Sequence, residues 1–351
     1  MTRRDFHSRT IGTTLAAALA SPGQTPAASK IKIGQIGTRH AHAGGQLAAL
    51  RSVADFEVVG VVEQDEARRR RARNDDAYAG LPWLTEEQLF KIPGLQAVAV
   101  ETEVGGLLDW AEKVVHAGLH LHLDKPAGES LPQFRRILDT ATRKQRLVKM
   151  GYVLRYNPAF QFMVRAVRQG WLGDIFSIHA EMSKKLSVAE REPMRRYAGG
   201  TMFELGCHLI DSVVRILGKP GAVTPFIRKG DDGFADNMVA VFDYPMATVT
   251  LRSAMIEIEG GARRQFVICG TKGSCEIRPL EGNVVKLTLD EPREGFRKGV
   301  QEITVDKAVR YQADWLDFAK AIRGETTWEF TPAHDLDVQE TVLRASGMPL
   351  E

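Results

Sequence analysis

Disulfide scaffolding is excluded by scarcity: the 351 residues contain three cysteines, too few for a framework that could stand in for a hydrophobic core. Cys269 and Cys275 flank Gly270-Thr271-Lys272-Gly273-Ser274, an expected hairpin, and leave room for one bridge in an oxidising compartment. Beyond the N-terminus no apolar run is long enough to cross a bilayer. Charge of one sign is scarce too. The formal net charge of +3 gives no general case for nucleic-acid binding, since such proteins concentrate basic charge on one face. The densest basic run, residues 68–71, follows Asp65 and Glu66 on an expected helix and reads as a solvated face. What is there is ordinary for a globular chain of two domains: 44% hydrophobic and 26% charged residues.

The N-terminus carries a targeting pattern. Arg3 and Arg4 precede Asp5-Phe6, a short and weakly apolar run covers residues 11–20, and Ala18-Leu19-Ala20 before Ser21 offers a small-residue cleavage site. The expectation is export to the periplasm through the twin-arginine translocase, with no membrane anchor after cleavage. Residues 1–29 are then signal peptide and linker.

From residue 30 the pattern alternates strand and helix. Strands are expected over 31–37, 56–62, 95–100, 120–123 and 147–153, and helices over 43–53, 65–74, 85–91, 107–117 and 131–144. This predicts an α/β fold with a parallel, doubly wound sheet over residues 30–150, whose ligands sit at the carboxyl ends of the strands. The first turn matches a dinucleotide fingerprint only in part. Gly37 follows the first strand, but Arg39 and His42 stand where the second and third glycines of Gly-x-Gly-x-x-Gly belong. Arg39 either fills the space the pyrophosphate needs or swings out to pair with a phosphate. Glu63, ending the second strand, is placed for a ribose diol; that favours NAD, while Arg68 and its neighbours keep NADP open.

Two further stretches carry chemistry. In His120-Leu121-His122-Leu123-Asp124-Lys125-Pro126, the proline ends the strand and leaves Lys125 at its carboxyl edge, where a desolvated lysine with a lowered pKa can relay protons. In residues 199–218, a glycine pair opens an apolar helical pattern in which Glu204, His208, Asp211 and Arg215 share one face. An acid and an imidazole on a buried helix read either as a satisfied ion-pair stripe or as a proton-transfer site.

Asp124-Lys125-Pro126, the Met150 to Phe160 stretch and Gly199-Gly200 followed by Glu204, His208 and Asp211 together resemble the Gfo/Idh/MocA oxidoreductase family. The resemblance implies a Rossmann domain over 30–150 and, over 151–351, a substrate-binding and oligomerisation domain with a large open, mainly antiparallel sheet. It also implies C-terminal helices packing back on the first domain and a homodimer or homotetramer. The expected strands 176–183, 239–244, 247–253, 264–269, 276–279 and 284–289 and the helices 311–323 and 333–345 fit that layout.

By the same resemblance, NAD would be held by Gly37, Thr38, Arg39, His40 and Glu63, with Thr102, Asp124, Lys125 and Pro126 completing its site. Hydride would leave a sugar, polyol or glycoside carbinol. His208 would take the hydroxyl proton and Lys125 stabilise the alkoxide, with Glu204, in place of the family's aspartate, orienting one of them. Arg155, Tyr156 and Asp211 are candidate sugar contacts. Export separates the protein from the pool that reoxidises NADH, which favours a tightly held cofactor and a redox-neutral cycle, including glycoside hydrolysis by oxidation, elimination, hydration and reduction. The rival reading is a metal-dependent sugar lyase or isomerase using His40, His42, His120 and His122, because imidazole plus carboxylate is a zinc or manganese ligand set.

Overall fold

The computed structural model describes residues 29–196 and 198–351; the twin-arginine segment and its cleavage site lie outside the described residues. The first half builds a six-stranded parallel sheet from β1 (Ile31–Ile36), β2 (Phe56–Val62), β3 (Trp83–Leu84), β4 (Leu95–Val100), β5 (His120–Leu123) and β6 (Val148–Met150). Their order is β3-β2-β1-β4-β5-β6. β4 is a near-continuous apolar run and every residue of β5 is buried because helices cover both faces of a parallel sheet. The chain order reverses between β1 and β4, so their carboxyl ends open the crevice where such folds bind ligands.

The second half forms an eight-stranded sheet from β7 (Ile175–Glu181), β8 (Ala222–Arg228), β9 (Asn237–Asp243), β10 (Thr248–Ala254), β11 (Gln265–Gly270), β12 (Gly273–Ile277), β13 (Val284–Leu289) and β14 (Gly299–Thr304). It is antiparallel except where β7 pairs with β10. β9, β10 and β13 alternate buried and more exposed residues, so one face packs on the core and the other faces out. β3, β8 and β14 add to the strands expected from the sequence. So does the helix Pro158–Arg168, which Asn157 caps by accepting from the Ala159 amide at 2.9 Å.

Two expectations need correction. Cys269 pairs with Ser274 and Cys275 with Ile268, one position out of step. Side chains alternate faces along a strand, so the two thiols point to opposite sides, and all three cysteines are free. Residues 199–218 are not one α-helix either. A π-turn at Met202–Gly206 precedes the α-helix Cys207–Leu217, which ends at Gly218 in a positive-φ cap.

The helix Gln312–Ile322 returns to the first sheet. Trp315, Phe318 and Ala319 join Ile31, Ile33 and Leu47 in a core of their own, and the Trp315 indole donates to Gln46 Oε1 at 3.0 Å. The helix Pro332–Ala345 packs against Cys207–Leu217 and Leu131–Arg143, so it clamps both halves beside the crevice.

Candidate active site

Lys125 is fully buried where β5 ends, and its ammonium reaches across to the second half of the chain. Its Nζ lies 2.8 Å from the Glu204 carbonyl oxygen and 2.9 Å from Glu204 Oε1. The π-turn explains why both acceptors face it: the wider turn brings Glu204 out of the register of the following α-helix. Burial opposes the ammonium, but Glu204 overrides it and raises the Lys125 pKa, so the lowered value expected from desolvation is corrected by the pairing. Lys125 is a held cation.

His208, one turn on, behaves oppositely. Burial and then the Lys125 charge push its pKa well below the ordinary histidine value. Its Nδ1 has no hydrogen-bond partner among the described residues. The ring centroid is 6.2 Å from His42 and 6.0 Å from Tyr152. Lys125, Glu204 and His208 share the wall of a cleft of about 390 Å³ together with His42, Tyr152 and Tyr156. A neutral imidazole and a fixed cation on one wall make a base and an oxyanion stabiliser.

Behind Lys125 lies a buried cluster that the sequence reading saw only in part. Asp124 takes His40 Nδ1 at 2.9 Å and His42 Nδ1 at 3.2 Å. His40 Nε2 meets the Lys125 carbonyl at 2.9 Å. Glu101, just past β4, lies 3.0 Å from His122 Nε2. Burial, with Asp124 adding to it, pushes the Glu101 pKa well above the carboxylate range, whereas His40 and His42 outweigh the burial of Asp124 and hold it well below. Of the two buried carboxyls, Glu101 is therefore the one burial disposes to hold a proton and Asp124 the one its histidines hold as an anion. Lys149, on the neighbouring strand, pairs with Asp314 at 2.8 Å and caps this layer from the other side. His40, His42 and Asp124 stand close enough to share a cation, as do Glu101, His122 and Asp124. His120 does not join them: its Nδ1 takes the Leu147 amide at 3.0 Å and its ring packs edge-on against Phe318, two residues back along β5. Neither Glu101 nor Lys149 belongs to a sequence motif; the topology alone brings them in.

The crevice fits a dinucleotide in three respects. Gly37 turns at φ 86°, where a Cβ would come within 2.8 Å of the Thr102 amide nitrogen, so the chain is drawn tightly under the site. The helix Ala43–Ser52 begins without a side-chain cap, leaving its N-terminus for a phosphate. Arg39 leans away to Glu103 at 3.4 Å instead of filling the space over Gly37. Glu63 lines a small recess with Arg39, Thr102 and Trp110, and Thr38 donates to it through its amide at 2.9 Å and its hydroxyl at 2.7 Å. Pro126 is followed by Ala127, whose amide Gln339 accepts at 3.2 Å, tying the turn to the C-terminal helix.

Two expected sugar contacts are structural. Arg155 is buried, with its Nη2 2.7 Å from Asp211 and 2.6 Å from Asp335, and His334 also reaches Asp211 at 3.3 Å. Arg155 and Asp211 lie behind the cleft wall because each satisfies the other's buried charge. Tyr156 does line the cleft; its hydroxyl donates to Asp317 at 2.6 Å.

Comparison with known proteins accords with this architecture. Residues 31–152 match the model of an oxidoreductase family with a NAD-binding Rossmann fold, and residues 160–276 match the GFO/IDH/MocA C-terminal domain. The chain belongs to the Gfo/Idh/MocA oxidoreductase family. Its first domain is accordingly the NAD-binding one. The uncharacterised oxidoreductase YdgJ of Escherichia coli is 23% identical over 61% of this chain and 60% of its own. The chain spans under two thirds of the length of the Escherichia coli relatives it matches. An oxidoreductase from Agrobacterium radiobacter, solved in complex with NAD+, L-tartaric acid and magnesium, superposes with a TM-score of 0.76 at 15% identity, over 90% of this chain and 96% of that one. The UDP-N-acetylglucosamine 3-dehydrogenase GnnA from Acidithiobacillus ferrooxidans gives 0.75 at 17% identity, over 92% and 98%.

Proposed function

We propose that this oxidoreductase acts on a hydroxyl-bearing carbon of a sugar, polyol or glycoside with NAD, and that it does so after export with the cofactor retained. The observation that carries the reading is the neutral, unpartnered His208 beside the Lys125–Glu204 pair on one cleft wall. A bound nicotinamide would supply the hydride acceptor. His208, on the cleft wall, takes the hydroxyl proton, and the fixed Lys125 cation stabilises the oxygen as it gains charge. Glu204 holds Lys125 in place through two acceptor oxygens. Asp124 orients His40 and His42 along the floor. Sugar-linked relatives such as GnnA support the substrate class. A retained cofactor would let the reaction close on itself, either between two sugars or as glycoside hydrolysis through a transient ketone.

The test is to purify the exported protein without added cofactor, denature it and identify the nucleotide and metal released. Stoichiometric NAD(H) is the expected result, followed by turnover of a glycoside or keto-sugar without external acceptor. Bound zinc or manganese with no nucleotide would replace this reading with the metal-dependent lyase or isomerase, for which His40, His42 and Asp124 supply a ligand set.

A further inference from the structure

Most charges on the cleft wall are matched. Lys125 pairs with Glu204 at 2.9 Å, Arg264 pairs with Glu281, and Asp314 is taken by Lys149 at 2.8 Å. Lys184 and Arg310 line the same cleft without such a match. Lys184 is half-buried just beyond β7, its amide fixed to the Ala254 carbonyl at 2.9 Å, and its ammonium has no ion-pair or hydrogen-bond partner among the described residues. The acid whose charge it feels most is Glu204, already committed to Lys125. Arg310 is exposed, its guanidinium carbon 4.7 Å from the centre of the Tyr311 ring, and its charge acts on His208. It too has no carboxylate within ion-pair distance among the described residues.

A half-buried ammonium without a counterion is costly, and side chains in that state are ordinarily paired. Here the missing partner faces a cleft of ligand size rather than the protein interior. Lys184 feels the charges of Glu204 and Lys125, and Arg310 acts on His208, so both cations border the reacting position in the one cleft. A neutral sugar would leave both unmatched on binding and strip water from them. A sugar with an acidic group supplies the counterion while its hydroxyl stands between Lys125 and His208.

We propose that the cleft is specific for an anionic sugar, a ring or chain bearing a carboxylate or a phosphate, with Lys184 binding the charged group. This rests on the sugar-oxidoreductase reading above and narrows it. Arg310 lines the same cleft and favours the acid further by its positive charge. The carboxylate and phosphate classes share the anion and are separated by the test.

The test is a matched panel on the NAD-loaded protein: hexoses, the corresponding hexuronates, and the hexose 6-phosphates, followed by calorimetric binding and by absorbance of the bound nicotinamide. An acid bound at least tenfold more tightly than its neutral parent is the expected result, with the hexuronate or the phosphate arm naming the class. In K184M that ratio falls toward one, and in K184R it recovers, while the NAD content and melting temperature of both variants match the parent protein. Neutral parents bound as tightly as their acids would overturn the proposal, as would an unchanged ratio in K184M. If the NAD-loaded protein responds to neither class, the sugar reading itself falls and takes this proposal with it.

Discussion

Two basic side chains near each other in the cleft carry opposite assignments, and the difference is environmental. Lys125 meets a carboxylate and stays charged; His208 is buried beside the Lys125 charge, and the two effects together outweigh Asp124, so it stays neutral. Removing the base by H208N is expected to lower kcat by about 10²- to 10⁴-fold with the fold retained. Because burial holds the His208 pKa well below that of free histidine, the wild-type rate should not decline through pH 6.5 as the pH falls. A limb near or above pH 6.5 that vanishes in H208N would show an exposed, ordinary histidine and remove it from this role. His208 and Lys125 could be named from their motifs. The sign of the lysine's shift could not, because it depends on Glu204 arriving from another domain.

At the scale of elements, strand and helix positions were largely legible because each carries its own period. Apolar runs such as Leu95–Val100 announce a buried parallel strand, and the turn at Gly37 announces the end of β1. The π-turn was not legible, since an α period fits Glu204, His208 and Asp211 equally well on paper. The same face was therefore misread at Asp211, which belongs to a buried ion-pair cluster. Burial opposes the Asp211 carboxylate, yet Arg155 overrides it and sets its pKa at about 2 against an ordinary 3.8. A depressed carboxylate stabilises the folded state above the unfolded-chain value, and that contribution drains away as pH falls from about 4 toward 2. D211N should accordingly lose about 3–5 kcal/mol in denaturant titrations at pH 7, because Arg155 is left buried with one partner fewer, and noticeably less at pH 3. An equal loss at both values would show that shape, not charge, is what Asp211 supplies. The Gly37 turn predicts a separate outcome. G37A places a Cβ against the Thr102 backbone at φ 86° and should yield folded protein with little co-purifying nucleotide.

At the scale of the whole molecule, the cleft exists because the chain returns to its start. Trp315 packs edge-on to His122 at 4.8 Å and to Phe56 at 5.6 Å, so a C-terminal helix finishes the N-terminal core. W315A should destabilise the protein by about 3–5 kcal/mol, with the NAD-binding half losing order together with the C-terminal helices in one transition. Two separate transitions by tryptophan fluorescence and far-ultraviolet dichroism would show the halves to be independent.

The sequence by itself determined the alternating strands and helices of the parallel sheet, because period and turn chemistry are local properties, while the large second sheet and the candidate roles of Lys125, Glu204 and His208 came from the resemblance of motifs. Tertiary structure decided which of these groups are charged, which face the cleft, and which extra residues stand behind them. Glu101 and Lys149 in the buried cluster, and Lys184 and Arg310 on the cleft wall, carry no local signature; they acquire meaning only when distant segments bring them to their neighbours. Charge state follows burial and partners, and both are settled by packing, not by order along the chain.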